Sequence, residues 1–173
     1  KRYIVFLIVF LTVSLCAVEQ NWSYYRDINS LREMEYYNGL LYAGTSCGLI
    51  SIDLESMEDH IFTPLEGFVG NEIVALEKDD FNNLWFATKE GYLGYYDGSD
   101  FHIVYEFIRG GIKLNDMVIV GDEIFLASNI GVVRFRMSFD YMIGQVIDFY
   151  RSLGDFPREL MAQSLYYNDG ILY

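Results

Sequence analysis

Two histidines, His60 and His102, and two acidic pairs, Glu58-Asp59 and Asp79-Asp80, are the groups in this 173-residue sequence best suited by type to move a proton. Acid–base or nucleophilic catalysis needs more, namely a base held by an orienting group and a hydroxyl or thiol within reach. Neither histidine lies in such a motif. Each stands close behind an acidic residue at the entry to an expected outer strand, so a solvent-facing imidazole is the expectation. The acidic pairs fall in expected loops, where Asp and Glu are ordinary turn and surface residues. Asp97-Gly98-Ser99-Asp100 and Asp79-Asp80-Phe81-Asn82-Asn83 supply oxygens without the alternating pattern and central Gly of a calcium loop. Two His and two Cys are too few for a zinc cage. Cys47, between Ser46 and Gly48, reads as a small packed residue rather than a nucleophile. No catalytic, cofactor-binding or metal-binding residue is assigned, and no cofactor is expected.

The elements that would position these groups follow from a recurring segment. It reads Leu41-Tyr42-Ala43-Gly44-Thr45-Ser46-Cys47-Gly48-Leu49, then Leu84-Trp85-Phe86-Ala87-Thr88-Lys89-Glu90-Gly91-Tyr92, then Ile124-Phe125-Leu126-Ala127-Ser128-Asn129-Ile130-Gly131-Val132. A fourth copy begins at Leu172-Tyr173. The aromatic positions 42, 85, 125 and 173 are 43, 40 and 48 residues apart. That period marks stacked supersecondary units and, with four short apolar runs in each, propeller blades.

The expected fold is therefore all-β: a β-propeller of about three four-stranded antiparallel blades plus the start of a fourth, forming an incomplete ring. The blades are placed at about 31–63, 73–107 and 113–150, with the next beginning at 161–173. Expected strands are 31–37, 40–45, 49–54 and 61–63 in the first blade, and 73–78, 84–88, 92–96 and 101–107 in the second. In the third they are 117–120, 123–128, 132–137 and 146–150, and a strand at 161–167 opens the fourth. Gly44, Ala87 and Ala127 are expected where inner strands crowd together, with the preceding aromatic filling the layer between blades. Of the tyrosine pairs 24–25, 36–37, 95–96 and 166–167, one member each is expected in the core and the other exposed. Trp22-Ser23-Tyr24-Tyr25 has the spacing of an outermost strand donated to the final blade, which would close the ring.

Residues 1–17 differ from the rest. Lys1 and Arg2 precede an apolar run from Tyr3 to Leu15 that ends at Cys16-Ala17, the layout of a secretory signal peptide. As a helix the run spans roughly 20 Å, short of the ~30 Å hydrocarbon core, so cleavage is favoured over a retained anchor and no membrane insertion of the mature part is expected. Lipidation of Cys16 is less favoured, because Leu15 is bulky where lipoprotein signals carry a small residue. The net charge of −13 argues against nucleic acid or anionic lipid as partner. The sequon Asn21-Trp22-Ser23 matters only in a glycosylating host.

The stretch from Asp80 to Tyr92, with its tail Tyr96-Asp97-Gly98, resembles the two-component regulator propeller repeat: a turn with Asn, Leu-Trp, a small residue, Thr, Gly and a closing Tyr-Asp-Gly. The first repeat keeps Gly44-Thr45 and Gly48-Leu49 but has Ile52-Asp53 at its end, and the third keeps Ala127-Ser128 and Gly131. The resemblance implies an exported propeller, used as the periplasmic sensor region of hybrid histidine kinases or in type IX secretion attachment complexes. The function it implies is a non-enzymatic binding or sensory module for a protein or glycan, located in the periplasm, at the cell surface or outside the cell. Its other partners would be the remaining blades of its own chain. Two alternatives stay open: a propeller-type lyase or hydrolase whose active site lies in further blades, and a truncated fragment with no independent function.

Overall fold

The structure is a computed structural model that describes residues 30–138, 143–152 and 160–173. The expected signal peptide at 1–17 and the expected ring-closing strand at 22–25 lie outside the described residues. The first sheet comprises β1 (Leu31–Tyr37), β2 (Leu40–Thr45), β3 (Gly48–Ile52) and β4 (Asp59–Ile61). The second comprises β5 (Ile73–Lys78), β6 (Leu84–Thr88), β7 (Leu93–Tyr96) and β8 (Phe101–Val104). The third comprises β9 (Leu114–Val120), β10 (Glu123–Ser128), β11 (Gly131–Met137) and β12 (Gly144–Tyr150). Each is an antiparallel meander whose spatial order follows the chain, which makes it a propeller blade. A hairpin of β13 (Tyr167–Asn168) and β14 (Ile171–Leu172) follows, and the described sheets do not close into a ring.

The blades bury one another. Tyr37, Tyr42, Leu49 and Phe62 of blade one pack with Leu76, Leu84 and Phe86 of blade two. Alternate side chains of the same second sheet, Trp85, Ala87 and Leu93, pack with Ile124, Leu126, Val133 and Phe135 of blade three. Every residue of β6 is buried because the strand is covered on both faces, which is why it reads as an unbroken apolar run rather than an alternation. Each fully buried large side chain here contributes roughly 1.5–3 kcal/mol relative to exposure. At Gly44 an added Cβ would come within 2.9 Å of the Ile73 Cβ, so the crowding expected at the small positions comes from the next blade's inner strand.

The recurring hydroxyl has a role that packing alone does not supply. The Thr45 and Ser128 hydroxyls donate to Gly48 O and Gly131 O at 3.0 and 2.8 Å, and Thr88 Oγ1 accepts from Tyr92 N at 3.1 Å. The hydroxyl thus clamps the turn between the second and third strands of each blade from inside the core. The Gly beyond it has φ between 106° and 126° in all three turns, which L side chains rarely adopt.

Several boundaries differ from the sequence reading. The fourth strand of blade two stops at Val104 rather than reaching Phe107, because its partner β7 begins at Leu93 and offers nothing further to pair with. The chain instead forms the short helix α1 (Glu106–Arg109), which turns Phe107 into the core between blades two and three. In blade one the last strand is Asp59–Ile61, not 61–63: Pro64 starts a 3-10 turn, with Thr63 Oγ1 donating to Glu66 Oε2 at 2.8 Å. The first strand of blade three begins at Leu114 rather than at 117, within the expected bounds of the blade, because β10 carries pairing out to Ser128. Residues 160–166 form no strand, since Ala162 N and Leu165 N are engaged by Ser128 O and the Asp116 carboxylate. The tyrosine pairs split as expected only at Tyr36 (57 % exposed) and Tyr37 (1 %). Tyr95 and Tyr96 are both half-buried, Tyr166 and Tyr167 are both exposed, and Tyr24-Tyr25 lies outside the described residues.

The turn geometry yields a paired test. Gly91 has φ +106° and an added Cβ would overlap the Ile112 carbonyl oxygen, whereas Gly121 has φ +62° and nothing within 4 Å. Gly91→Ala is expected to lower unfolding free energy by about 3 kcal/mol or more and Gly121→Ala by about 1 kcal/mol. Urea denaturation of the two variants measures the difference, and equal losses would contradict the steric account.

Candidate functional site

The groups with chemical potential are first of all turn builders. Asp79, only 3 % exposed, accepts from Phe81 N and Asn83 N on one oxygen. Its other oxygen accepts from Asn83 Nδ2 and from the Trp85 indole N–H at 2.8 Å. Four donors satisfy a buried carboxylate and lock the β5–β6 turn under the core tryptophan. Asp80, its neighbour in the sequence, is exposed. Tyr37 Oη and Asn38 Oδ1 then tie blade one to this turn through Asn82 O and Asn82 Nδ2.

Both histidines are half-exposed to exposed, and each meets a carboxylate. His102 Nε2 lies 2.9 Å from Asp97 Oδ2, and its ring stacks on Tyr95 at 4.5 Å with planes 19° apart. Asp97 also takes Ser99 N and Asp100 N at 2.8 Å, and backbone hydrogen bonding together with His102 holds its carboxyl below the usual range. His60 Nε2 lies 2.6 Å from Glu66 Oε1. Among the described residues no Ser, Thr or Cys side chain hydrogen-bonds to either imidazole, so neither pair extends into a nucleophile–base–orienter chain. Glu58 and Asp59 are exposed at the β3–β4 connection. Cys47 is half-buried, with its backbone N–H donated to Thr45 Oγ1 at 3.0 Å. Among the described residues no cluster of His, Cys, Asp and Glu has metal-holding geometry.

A second set of carboxylates was not singled out from sequence. β1, β5 and β9 are the first strands of their sheets and lie side by side. On them Glu33, Glu35, Glu77 and Asp116 come together. Glu77 is pushed up to about 7, first by burial and then by the charges of Glu35 and Asp116, against the Ile119 N–H that donates to its Oε2 at 2.9 Å. Burial, then Asp116, raises Glu33 as well. The signal was present in register with the repeat: Glu33 and Asp116 pair with the small residues Gly44 and Ala127, and Glu35 and Glu77 pair with the aromatics Tyr42 and Trp85. It is visible only once the inner strands are aligned to the motif, because each strand contributes just one or two of the acids.

The raised Glu77 sets a pH dependence. Below about pH 4.5 its carboxyl is protonated in folded and unfolded chains alike, and its contribution to stability is complete. As pH rises the unfolded chain releases the proton first, so stability falls until the folded carboxyl ionises near 7. Glu77→Gln is therefore expected to be nearly neutral at pH 4.5 and stabilising at pH 8, by roughly 2 kcal/mol after allowance for its partial exposure. Chemical denaturation at the two pH values reads this out, and a gain that does not depend on pH would contradict it.

No family model and no curated protein matches the chain. Solved structures do match in fold. One is PorZ, a bacterial surface component of the type-IX secretion system of Porphyromonas gingivalis, with 17% identity and TM-score 0.58 over 66% of this chain and 16% of that one. Another is the extracellular domain assigned to the hybrid two component system BT3049 of B. thetaiotaomicron, with 19% identity and TM-score 0.57 over 81% and 20%. A chain of the S. cerevisiae complex of dbp5 with nup159 and gle1 matches at 13% identity and TM-score 0.53, over 87% of this chain and 40% of that one. The chain thus spans a fifth or less of the length of the two bacterial proteins. Those two are of the kinds that the segment from Asp80 to Tyr92 resembles, and the likeness is one of fold. The architecture is that of β-propeller blades, and proteins with different roles share it, so the likeness carries no activity with it.

Proposed function

We propose that this chain belongs to an exported β-propeller that binds a protein or glycan ligand and performs no chemistry on it. The observation that carries this reading is the blade architecture shared with a bacterial surface component and with the extracellular domain of a signalling system. Side-chain engagement supports the non-enzymatic half: Asp79 is taken up under Trp85, and His102 and His60 are held by Asp97 and Glu66. No helix among the described residues is long and apolar enough to cross a membrane. The strongly acidic composition disfavours nucleic acid and anionic lipid as the ligand.

Two measurements on the full-length protein test the reading. Fractionation with external protease is expected to find it outside the cytoplasm, and glycan and peptide arrays are expected to show saturable binding with the ligand recovered unchanged. A cytoplasmic location would overturn the export half. Ligand turnover abolished by His60→Ala or His102→Ala would overturn the non-enzymatic half.

A further inference from the structure

The first strand of every blade carries the same irregularity. Pairing with the second strand slips between Leu31 and Glu33 in β1, between Ile73 and Ala75 in β5, and between Leu114 and Asp116 in β9. Arg32, Val74 and Asn115 are therefore the extra residues of three β-bulges at one repeat position. A bulge bends its strand and re-aims the side chain that it carries. In each blade that side chain serves the unit that follows. Arg32 Nη2 donates to Glu72 Oε1 at 3.1 Å, just ahead of β5. Val74 packs against the core between blades two and three. Asn115 Nδ2 donates to the Ala162 carbonyl oxygen at 2.6 Å, in the segment that comes after blade three.

At Asn115 the contact extends into a network. Adjacent residues of a regular strand point to opposite faces, yet Asn115 and Asp116 both reach the same segment, because Asn115 is the bulged residue. Asp116 Oδ2 accepts from Leu165 N at 2.8 Å, while its Oδ1 is taken by Met117 N at 2.8 Å. Ala162 N donates in turn to Ser128 O at 3.0 Å. None of residues 160–166 is buried, so hydrogen bonds rather than a packed core hold the segment on blade three. One of those bonds is set from blade two. Lys89 Nζ, in the turn after β6, donates to Asn115 Oδ1. An ammonium only donates, so the amide must turn its oxygen to Lys89, and that leaves its NH2 group for the Ala162 carbonyl. Reversing the amide would set donor against donor at one end and acceptor against acceptor at the other. We propose that Asn115 and Asp116 form a latch that closes residues 160–166 onto blade three, with Lys89 as the positioning residue that sets its orientation. Blade two, blade three and the following segment thus meet in one relay. A segment held in this way opens locally without unfolding of the blades, and the latch sets how often it does. The proposal concerns contacts within the chain and stands independently of what the propeller binds.

Hydrogen exchange of the full-length protein tests it, followed by mass spectrometry on peptides spanning 84–88 and 160–166. Asn115→Asp is the decisive variant, because it keeps an acceptor for Lys89 and removes the donor to Ala162. It is expected to speed exchange in 160–166 about tenfold or more and to leave 84–88 at the parent rate. Lys89→Met, which keeps the alkyl stem and loses the charge, is expected to speed 160–166 several-fold. In an Asn115→Ala background the same Lys89→Met change is expected to add nothing, since Lys89 acts through the amide. Unchanged exchange of 160–166 in Asn115→Asp would overturn the proposal, as would an equal gain in 84–88, which marks general destabilisation instead of an opened latch. Parent-rate exchange in Lys89→Met, or a full further gain from it in the Asn115→Ala background, would equally overturn the relay.

Discussion

A four-stranded blade is a single layer, and it can bury neither of its faces by itself. Everything else in this structure depends on that constraint. Blade two is flanked on both sides, and Trp85, Phe86 and Ala87 are each 0 % exposed. Phe125 occupies the position in blade three that Trp85 holds in blade two, yet it is only partly buried, because it faces away from blade two. On the far side of blade one, Met34 and Tyr36 are 54 % and 57 % exposed. Stability in such an array is a sum of neighbour interfaces, so the same residue type contributes differently according to what lies beside it.

That dependence explains why the repeat conserves a hydroxyl and a Gly within the chain while its apolar residues vary. Packing between blades tolerates Tyr42, Trp85 or Phe125 at one position, provided that the volume fits. The turn has less freedom. Thr45, Thr88 and Ser128 are 3 %, 0 % and 0 % exposed, so each hydroxyl must find its partner inside the protein, and each finds it in the turn that it closes. A valine in that place would keep the volume and orphan the turn's polar groups.

The sequence made the blades legible because the period, the Asx-rich turns and the clamps are local chemistry. The Asp79 turn could be read from Asp79-Asp80-Phe81-Asn82-Asn83, although the indole bond from Trp85 could not, since it requires knowing which face of β6 looks toward that turn. Strand ends depended on partners rather than on propensity. Tyr105 to Phe107 has a respectable strand composition, yet β7 ends its pairing at Leu93, and the chain takes a helical turn instead. Residues 161–166 fail as a strand for a related reason, being held by Asp116 and Ser128 of the preceding blade. The inner carboxylates were hidden for a different reason: their meeting is a property of three strands far apart in sequence, with no motif on any one of them.

Those carboxylates run against the logic of the rest of the fold. Asp79 is buried with four donors, and Glu123 is paired with Arg134 and Arg136, so both are answered where they lie. Glu77 has the Ile119 N–H but also Glu35 and Asp116, and burial raises it where a clamp would lower it. A neutral side chain at that position would accept the same backbone N–H without the cost of ionisation, so the acid is not there to hold β5 against β9. Glu35, Glu77 and Asp116 belong to three different blades, so the charges that raise Glu77 reach it from the strands on either side rather than from its own sheet. The inner edge is thus the part of the fold in which packing, turn chemistry and charge do not point the same way, and it is the part that stability alone does not explain.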